Sequence, residues 1–190
     1  MGKTRRRLDA TTRRAEIVDA AATVFDGRNP HDVTFEEVAA AAGVSRALVY
    51  NYFRDKGELV AAVHLRSLTR LDAVLQQAGR SAPGDGTLPV VVRTYLRFAA
   101  EDPEAFRNLV DTEAAHHPEV KAARRRRVSD LADTWGGSPE ARVAASAVMG
   151  LLEGATKEWL EERHLGADVQ RVADMLVHVL REGLPTDGGG

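Results

Sequence analysis

Two helix start signals on either side of a glycine turn constrain the fold of this chain more than any other feature of its sequence. Thr34 is followed three residues later by Glu37, which is the spacing of a capping box. Gly43 can adopt the left-handed backbone that ends a helix, and Ser45 is a suitable cap for the next one. The segment therefore predicts a short helix that ends before Gly43, a tight turn and a second short helix over residues 46–52, which together form a helix-turn-helix.

The other segments of the chain also have helical periodicity, and proline and glycine separate them. The capping side chains Asp102 and Ser138 each precede a proline at the first position of a predicted helix. We therefore expect an all-α fold of about nine helices. The predicted helices cover residues 12–26, 34–42, 46–52, 56–79, 88–100, 103–116, 118–133, 139–163 and 167–182.

Composition narrows the class of protein. The 190 residues are 44% hydrophobic, which is enough for a buried core, and no apolar run approaches the ~20 residues of a membrane helix. The absence of cysteine excludes disulfides and thiolate metal sites. The basic N-terminus leads into polar and amphipathic sequence rather than into the apolar core of a signal peptide. We therefore expect a cytoplasmic protein that does not bind membranes.

The charge of the chain is unevenly distributed. Residues 1–14 carry six basic side chains and one acidic side chain, whereas the whole chain has a net charge of −2. A basic N-terminal arm can bind the phosphates of nucleic acid, but an arginine run is equally typical of a solvated tail. The arm therefore supports a nucleic-acid partner only together with other evidence.

The second helix of the helix-turn-helix has an outer surface suited to DNA. If Val49 is buried, the helical period places Arg46, Ala47, Tyr50 and Asn51 on or near the opposite side. This surface combines a cation, a small apolar side chain and hydrogen-bonding groups, which suit base edges and phosphates in the major groove. A helix-turn-helix can also bind proteins, but the basic and aromatic side chains favour DNA.

Residues 12–63 resemble the DNA-binding domain of the TetR family of transcriptional regulators. The resemblance rests on an amphipathic first helix, the turn sequence AAAAGVS and an aromatic cluster of Tyr50, Tyr52 and Phe53 followed by Lys56. In this family such aromatic side chains contact the DNA backbone or flanking bases, which we expect of the two tyrosines. Phe53 is more typical of a core position.

The resemblance implies a DNA-binding domain over residues 1–57, with a basic arm and three helices, and a larger helical effector-binding and dimerisation domain over residues 58–190. It places Arg46, Ala47 and Leu48 where the family reads bases. The full DNA-binding set that it implies is Thr34, Ser45, Arg46, Ala47, Leu48, Tyr50, Asn51, Tyr52 and Lys56.

Two members of this set are expected to hold phosphates. Lys56 begins the fourth helix, where its charge and the helix dipole act together. Thr34 can reach a phosphate through its hydroxyl or nearby amides. A solvated surface lysine and a simple helix cap are the respective alternatives.

In the second domain, the resemblance implies that residues 139–182 form a four-helix bundle with their copies in a homodimer. The apolar stripes of these helices, which include Leu176, suit that role, although a core within one chain would give the same pattern. A pocket for an unidentified, largely apolar effector is expected among helices four to eight. Its candidate lining residues are Tyr95, Phe98, Phe106, Leu109, Glu113, Trp135, Met149 and Glu153.

Three further features of the sequence bear on a metal site, an anionic effector and an enzymatic activity. Glu113 with His116 and His117 could suggest a metal site, because Glu113 and His117 share one helix face. No third ligand is predictable, so we expect no metal and no cofactor. The arginine run 124–127 covers every face of its helix, which favours a solvated exterior over a site for an anionic effector such as an acyl-CoA. The chain has no glycine-rich phosphate loop, nucleophile elbow or cysteine nucleophile, so we do not expect an enzyme.

The sequence thus predicts a transcriptional regulator, most simply a repressor that a small-molecule effector releases from a palindromic operator in double-stranded DNA. The main alternative is a helical ligand-binding protein without a DNA function. That alternative requires the suitability of the surface between Arg46 and Lys56 for DNA to have arisen by chance.

Overall fold

The computed structural model describes residues 9–82, 84–110, 114–162 and 168–182. These residues form nine α-helices, three short 3₁₀ turns and no strand, which confirms the all-α prediction. None of these helices is long and apolar enough to cross a membrane. The helices are α1 (Ala10–Val24), α2 (Phe35–Ala41), α3 (Arg46–Tyr52), α4 (Lys56–Ser81), α5 (Thr87–Glu101), α6 (Pro103–Val110), α7 (Pro118–Asp133), α8 (Pro139–Glu162) and α9 (Val169–Glu182).

Capping explains where the observed helices depart from the predicted ones. Helix α1 begins two residues early because the Asp9 carboxylate accepts a hydrogen bond of 2.9 Å from the Thr12 amide. Helix α9 begins two residues late because Asp168 caps it. The prediction of an α-helix that extends to His116 is wrong: α6 is described over Pro103–Val110, and Ala114–His116 form a 3₁₀ turn.

The first core lies among α1, α2, α3 and the first two turns of α4. Ile17, Val38, Val49, Phe53 and Leu59 are all fully buried in it. The expectation that Phe53 is a core residue is confirmed. This core fixes how α3 is rotated about its own axis, and so decides which of its side chains face solvent.

The second core lies among α4 to α9 and includes Leu71, Leu96 and Phe106. Helix α4 belongs to both cores, because Leu59 to Val63 pack in the first and Leu68 packs in the second. The domain boundary after residue 57 stays a prediction, but the first core continues into α4 beyond it. A displacement of α4 therefore acts on both cores.

Candidate nucleic-acid interface and effector cavity

The turn between α2 and α3 has the hydrogen bonds of a Schellman motif. The Val44 amide donates to the Ala39 carbonyl at 2.9 Å, and the Gly43 amide donates to the Ala40 carbonyl at 3.1 Å. Gly43 has a φ of +63°, a conformation that residues with a Cβ rarely adopt. These contacts set the angle at which α3 leaves α2.

The start of α2 is a complete capping box, as the sequence predicts. The Thr34 hydroxyl accepts from the Glu37 amide at 3.2 Å, and the Glu37 carboxylate accepts from the Thr34 amide at 2.7 Å. Hydrogen bonds from the Thr34 amide, the Arg28 guanidinium and the Thr34 hydroxyl lower the pKa of Glu37 to about 2. The Thr34 side chain is thus a helix cap in this structure, and its phosphate contact stays a prediction.

Helix α3 presents to solvent the surface that the helical period predicts. The Ser45 hydroxyl caps it by accepting from the Leu48 amide at 3.2 Å. With Val49 fully buried, the side chains of Arg46, Ala47, Tyr50 and Asn51 are exposed. Leu48 and Tyr52 are half-buried, and Tyr52 packs against the first core.

Arg46 is held in place by two neighbours. Its guanidinium forms an ion pair with Glu36 of α2 and donates to the Tyr50 hydroxyl at 3.2 Å. The Tyr50 ring in turn lies 4.8 Å from the Phe35 ring, measured between centroids. The bond to Tyr50, and then Glu36, raise the pKa of Arg46 above its ordinary value, so the guanidinium stays charged.

Sequence reasoning did not identify Glu36 as part of this surface. It lies on the preceding helix, and only the crossing of α2 and α3 brings its carboxylate to Arg46. The two residues are ten apart in the sequence and lie on different helices, so helical periodicity does not predict their contact. Glu36 is therefore a candidate positioning residue for the arginine.

Basic side chains flank α3 at two other places. Lys56 is half-buried in the first turn of α4, a helix that Asp55 caps by accepting from the Glu58 amide at 2.8 Å. Arg14 lies with its guanidinium 4.8 Å from the centroid of the Phe53 ring. Most of the predicted basic arm, residues 1–8, lies outside the described residues. The phosphate contact of Lys56 stays a prediction.

A cavity of about 430 Å³ lies among α4, α5, α7 and α8. Of the residues predicted to line an effector pocket, Tyr95, Trp135, Met149 and Glu153 border it. Apolar side chains, among them Leu75, make up most of its remaining wall. The volume falls within the range of about 300–1,000 Å³ that is typical of small-molecule sites.

The other predicted pocket residues lie elsewhere. Phe98 and Phe106 do not line the cavity, because both are buried in the second core; Phe106 meets the edge of Tyr95, with 6.1 Å between the ring centroids. Leu109 borders a separate small void. Glu113 lies outside the described residues. Phe106 thus supports the cavity wall through Tyr95 without forming it.

The arginine run on α7 is only partly solvated, which corrects the expectation of a charged exterior. Arg125 and Arg126 are exposed, but Arg124 and Arg127 point to the cavity. Positions 124 and 127 are three apart and share a helix face. The sequence therefore predicts which arginines are internal once that face is known to be internal. Arg124 pairs with Glu153 of α8 at 2.5 Å, and Arg127 pairs with Asp72 of α4 at 2.7 Å.

Helices α8 and α9 each have one face in the second core and another exposed. Leu176 is only 2% exposed and packs in that core, so this part of the predicted dimer stripe is accounted for within one chain. Val143 is 71% exposed and Met175 is 52% exposed. A Cβ built on Gly150 or Gly154 meets no atom of the described residues within 4 Å. These faces permit another helix to approach closely.

Comparison with known proteins agrees with these features. The family profile "Bacterial regulatory proteins, tetR family" matches residues 17–63. The transcriptional activator FasR of Mycolicibacterium smegmatis is 31% identical over 117 residues, which are 61% of this chain and 53% of FasR. An uncharacterized regulator of Mycobacterium tuberculosis is 29% identical over 171 residues, which are 82% of this chain and 71% of that protein. The chain thus spans about half of FasR.

Solved structures extend the similarity to nearly the whole chain. A TetR-like transcriptional regulator from Rhodococcus sp. RHA1 is 25% identical, with a TM-score of 0.65, covering 93% of this chain and 98% of that one. The fatty acid degradation regulator FadR from Bacillus halodurans shares the fold, with a TM-score of 0.72 at 19% identity over 90% of this chain and 96% of that one. These relatives are transcriptional regulators rather than enzymes. The match over residues 17–63, together with these relatives, supports the assignment of the chain as a TetR family transcriptional regulator.

Proposed function

We propose that the chain is a homodimeric repressor that binds a palindromic operator through α3 and is released by a small molecule in the cavity. One observation carries the DNA-binding part of this proposal. Arg46 and Tyr50 are exposed side by side on a helix whose opposite face is anchored by the fully buried Val49. Arginine reads guanine by bidentate hydrogen bonds in the major groove.

The proposed dimer forms through the exposed faces of α8 and α9. Among the described residues nothing packs so close to Gly150 or Gly154 that glycine is required there, and glycine lets two helix backbones approach closely. Val143 and Met175 add exposed apolar surface. A two-fold dimer presents two copies of α3 to half-sites about 34–36 Å apart, or at a multiple of this spacing.

Helix α4 is the proposed link between the cavity and the DNA. It begins at Lys56 beside α3, and Leu75 on the same helix lines the cavity. An effector that prefers a different α4 position changes the spacing of the two recognition helices. To weaken operator binding a hundredfold, it must favour the non-binding state by about 2.7 kcal/mol.

The test is an unbiased selection of double-stranded DNA by the full chain, followed by anisotropy titrations of the enriched site and a scrambled control. We expect a palindromic site that the chain binds at least about a thousandfold more tightly than the scrambled DNA. A chain that enriches no sequence and binds both DNAs equally is instead a ligand-binding protein without operator recognition.

Activation of transcription is a second candidate, because the relative FasR is a transcriptional activator. The two candidates use the same DNA contacts and differ in where the operator lies relative to the promoter. A reporter gene behind the selected site, with and without the chain, separates them. The repressor proposal requires reporter output to fall when the chain is present.

A further inference from the structure

The cavity has one polar end. Tyr95, Arg124, Arg127 and Glu153 line both the main cavity and an adjoining void of about 10 Å³. These four side chains therefore lie between the two spaces and cluster the polar groups of the cavity. The half-exposed Trp135 also lines the cavity. A ligand that fills the cavity thus meets apolar side chains along its body and charged groups where these four residues lie.

The charges at this end favour an anion. Two guanidinium groups line the cavity, and Glu153 is the one carboxylate among its described lining residues. The carboxylate that pairs with Arg127 is Asp72, which is on α4 outside the cavity lining. The lining itself therefore carries one more guanidinium than carboxylate, and Asp72 balances Arg127 from outside the lining. A cationic ligand group would meet both guanidiniums.

The Arg124–Glu153 pair is open to exchange. The two side chains are 38% and 30% exposed, so neither is sealed in the core. Burial, and then Glu153, raise the pKa of Tyr95, so its hydroxyl stays protonated and can donate a hydrogen bond. A second carboxylate arriving at this end finds a guanidinium and a hydroxyl as donors, with Glu153 as its competitor.

We propose that the effector is an apolar monocarboxylate whose carboxylate displaces Glu153 from Arg124. This inference rests on the proposed function, because it assigns the ligand class of the cavity. The apolar body of the ligand lies along the wall that includes Leu75 and Met149. Arg127, one helical turn from Arg124, ties this end of the cavity to α4 through Asp72. The ligand head therefore binds beside the helix that reaches the DNA.

A ligand series with one chain length and three head groups tests the proposal on the unmodified chain. Decanoate, decanamide and decylamine are titrated by calorimetry, so the comparison needs no variant to fold. We expect decanoate to bind about tenfold or more tightly than either of the others, because only it forms a charge-assisted pair with Arg124. Tighter binding of decylamine, or equal binding of all three, overturns the proposal.

Two variants with opposite expected effects sharpen the test. Arg124→Gln removes the donor and should weaken decanoate binding about tenfold or more. Glu153→Gln removes the competing carboxylate and should tighten it. Arg125→Gln, with the same charge change on an exposed neighbour, is the matched control and should leave the affinity unchanged. An unchanged affinity in both cavity variants, or the reverse pair of effects, contradicts the assignment.

Operator binding is measured separately on the same samples. A chain that binds decanoate as expected but does not recognise any operator supports the ligand class and contradicts the proposed function. A chain that binds its operator but prefers the amine or the amide supports the function and contradicts the ligand class. The two failures are thus distinguishable.

Discussion

The helix-turn-helix and the cavity both contain an arginine that is paired with a carboxylate from a neighbouring helix, but the two pairs lie in different surroundings. The side chains of Arg46 and Glu36 are 57% and 54% exposed on an open surface. The Arg124–Glu153 pair is less exposed and lines a cavity. Solvent screens the first pair strongly, so it contributes little to folding and leaves the guanidinium available to DNA. The second pair is open to a ligand that enters the cavity.

The two sites therefore select their partners in different ways. On α3 the partner is a large polyanion with base edges, and selection depends on where the guanidinium points. In the cavity the partner must fit an enclosed volume, and selection depends on shape and on one exchanged ion pair. DNA binding at the first site is expected to depend on the geometry of the dimer. Ligand binding at the second site is expected to depend on the charge of the ligand head group.

The largest expected effect comes from blocking the proposed dimer. Gly154→Arg places a bulky charge on an exposed face of α8 that is open within the chain, so the monomer should still fold. Losing the second half-site should weaken operator binding by about a hundredfold or more. Sedimentation and anisotropy measure the two effects. Ala73→Arg, on an exposed position of α4, is the control for added charge.

The outcome that contradicts the dimer proposal is a folded Gly154→Arg monomer that binds the full operator normally. Leu176→Asp, a natural choice from the sequence stripe, is not a suitable variant. Leu176 is buried in the core of its own chain, where a carboxylate would destabilise the fold itself.

A smaller loss is expected when the recognition helix loses its arginine. Arg46→Ala should cost about 1–3 kcal/mol on the selected operator, if the guanidinium makes a bidentate base contact. It should also relax the preference at one symmetric pair of positions. Arg125→Ala, an exposed arginine on α7, is the matched control. An equal loss on random DNA would identify Arg46 as a phosphate contact instead.

Glu36→Gln tests whether the carboxylate positions that arginine. Removing a negative charge from the DNA-facing surface should raise affinity for random DNA a few-fold, since repulsion from the phosphates is reduced. Freeing Arg46 should also lower the ratio of operator to random-DNA affinity. Parallel titrations on the two DNAs measure both quantities. An unchanged ratio would show that Glu36 does not position Arg46 for operator recognition.

The comparison also explains what the sequence could predict. The capping box at Thr34, the bounds of α3 and the exposure of Arg46 follow from residues within one or two helical turns, and the structure confirms them. The cavity is built from α4, α5, α7 and α8, so its lining depends on long-range packing. Phe98 and Leu176 have the same apolar character as lining or interface residues, and only the packing of other helices places them in the core.

The smallest expected effect is the response of the helix-turn-helix to acid. The folded-state pKa of Glu37 is about 2, below its ordinary value of 4.5. Its stabilising contribution is therefore present above pH 4.5 and is lost as the pH falls toward about 2. The difference in Tm between the wild type and Glu37→Gln should shrink over this range. A difference that is independent of pH contradicts the role assigned to this carboxylate.

An equilibrium titration of three DNAs tests whether α3 reads a specific operator as part of a two-fold dimer. The DNAs are the selected palindrome, the same palindrome with one half-site scrambled, and a fully scrambled duplex, all at one salt concentration. We expect the tightest binding to the full palindrome, a loss of about a hundredfold or more with one half-site, and the weakest binding to scrambled DNA. Equal affinity for all three DNAs would contradict operator reading by the dimer.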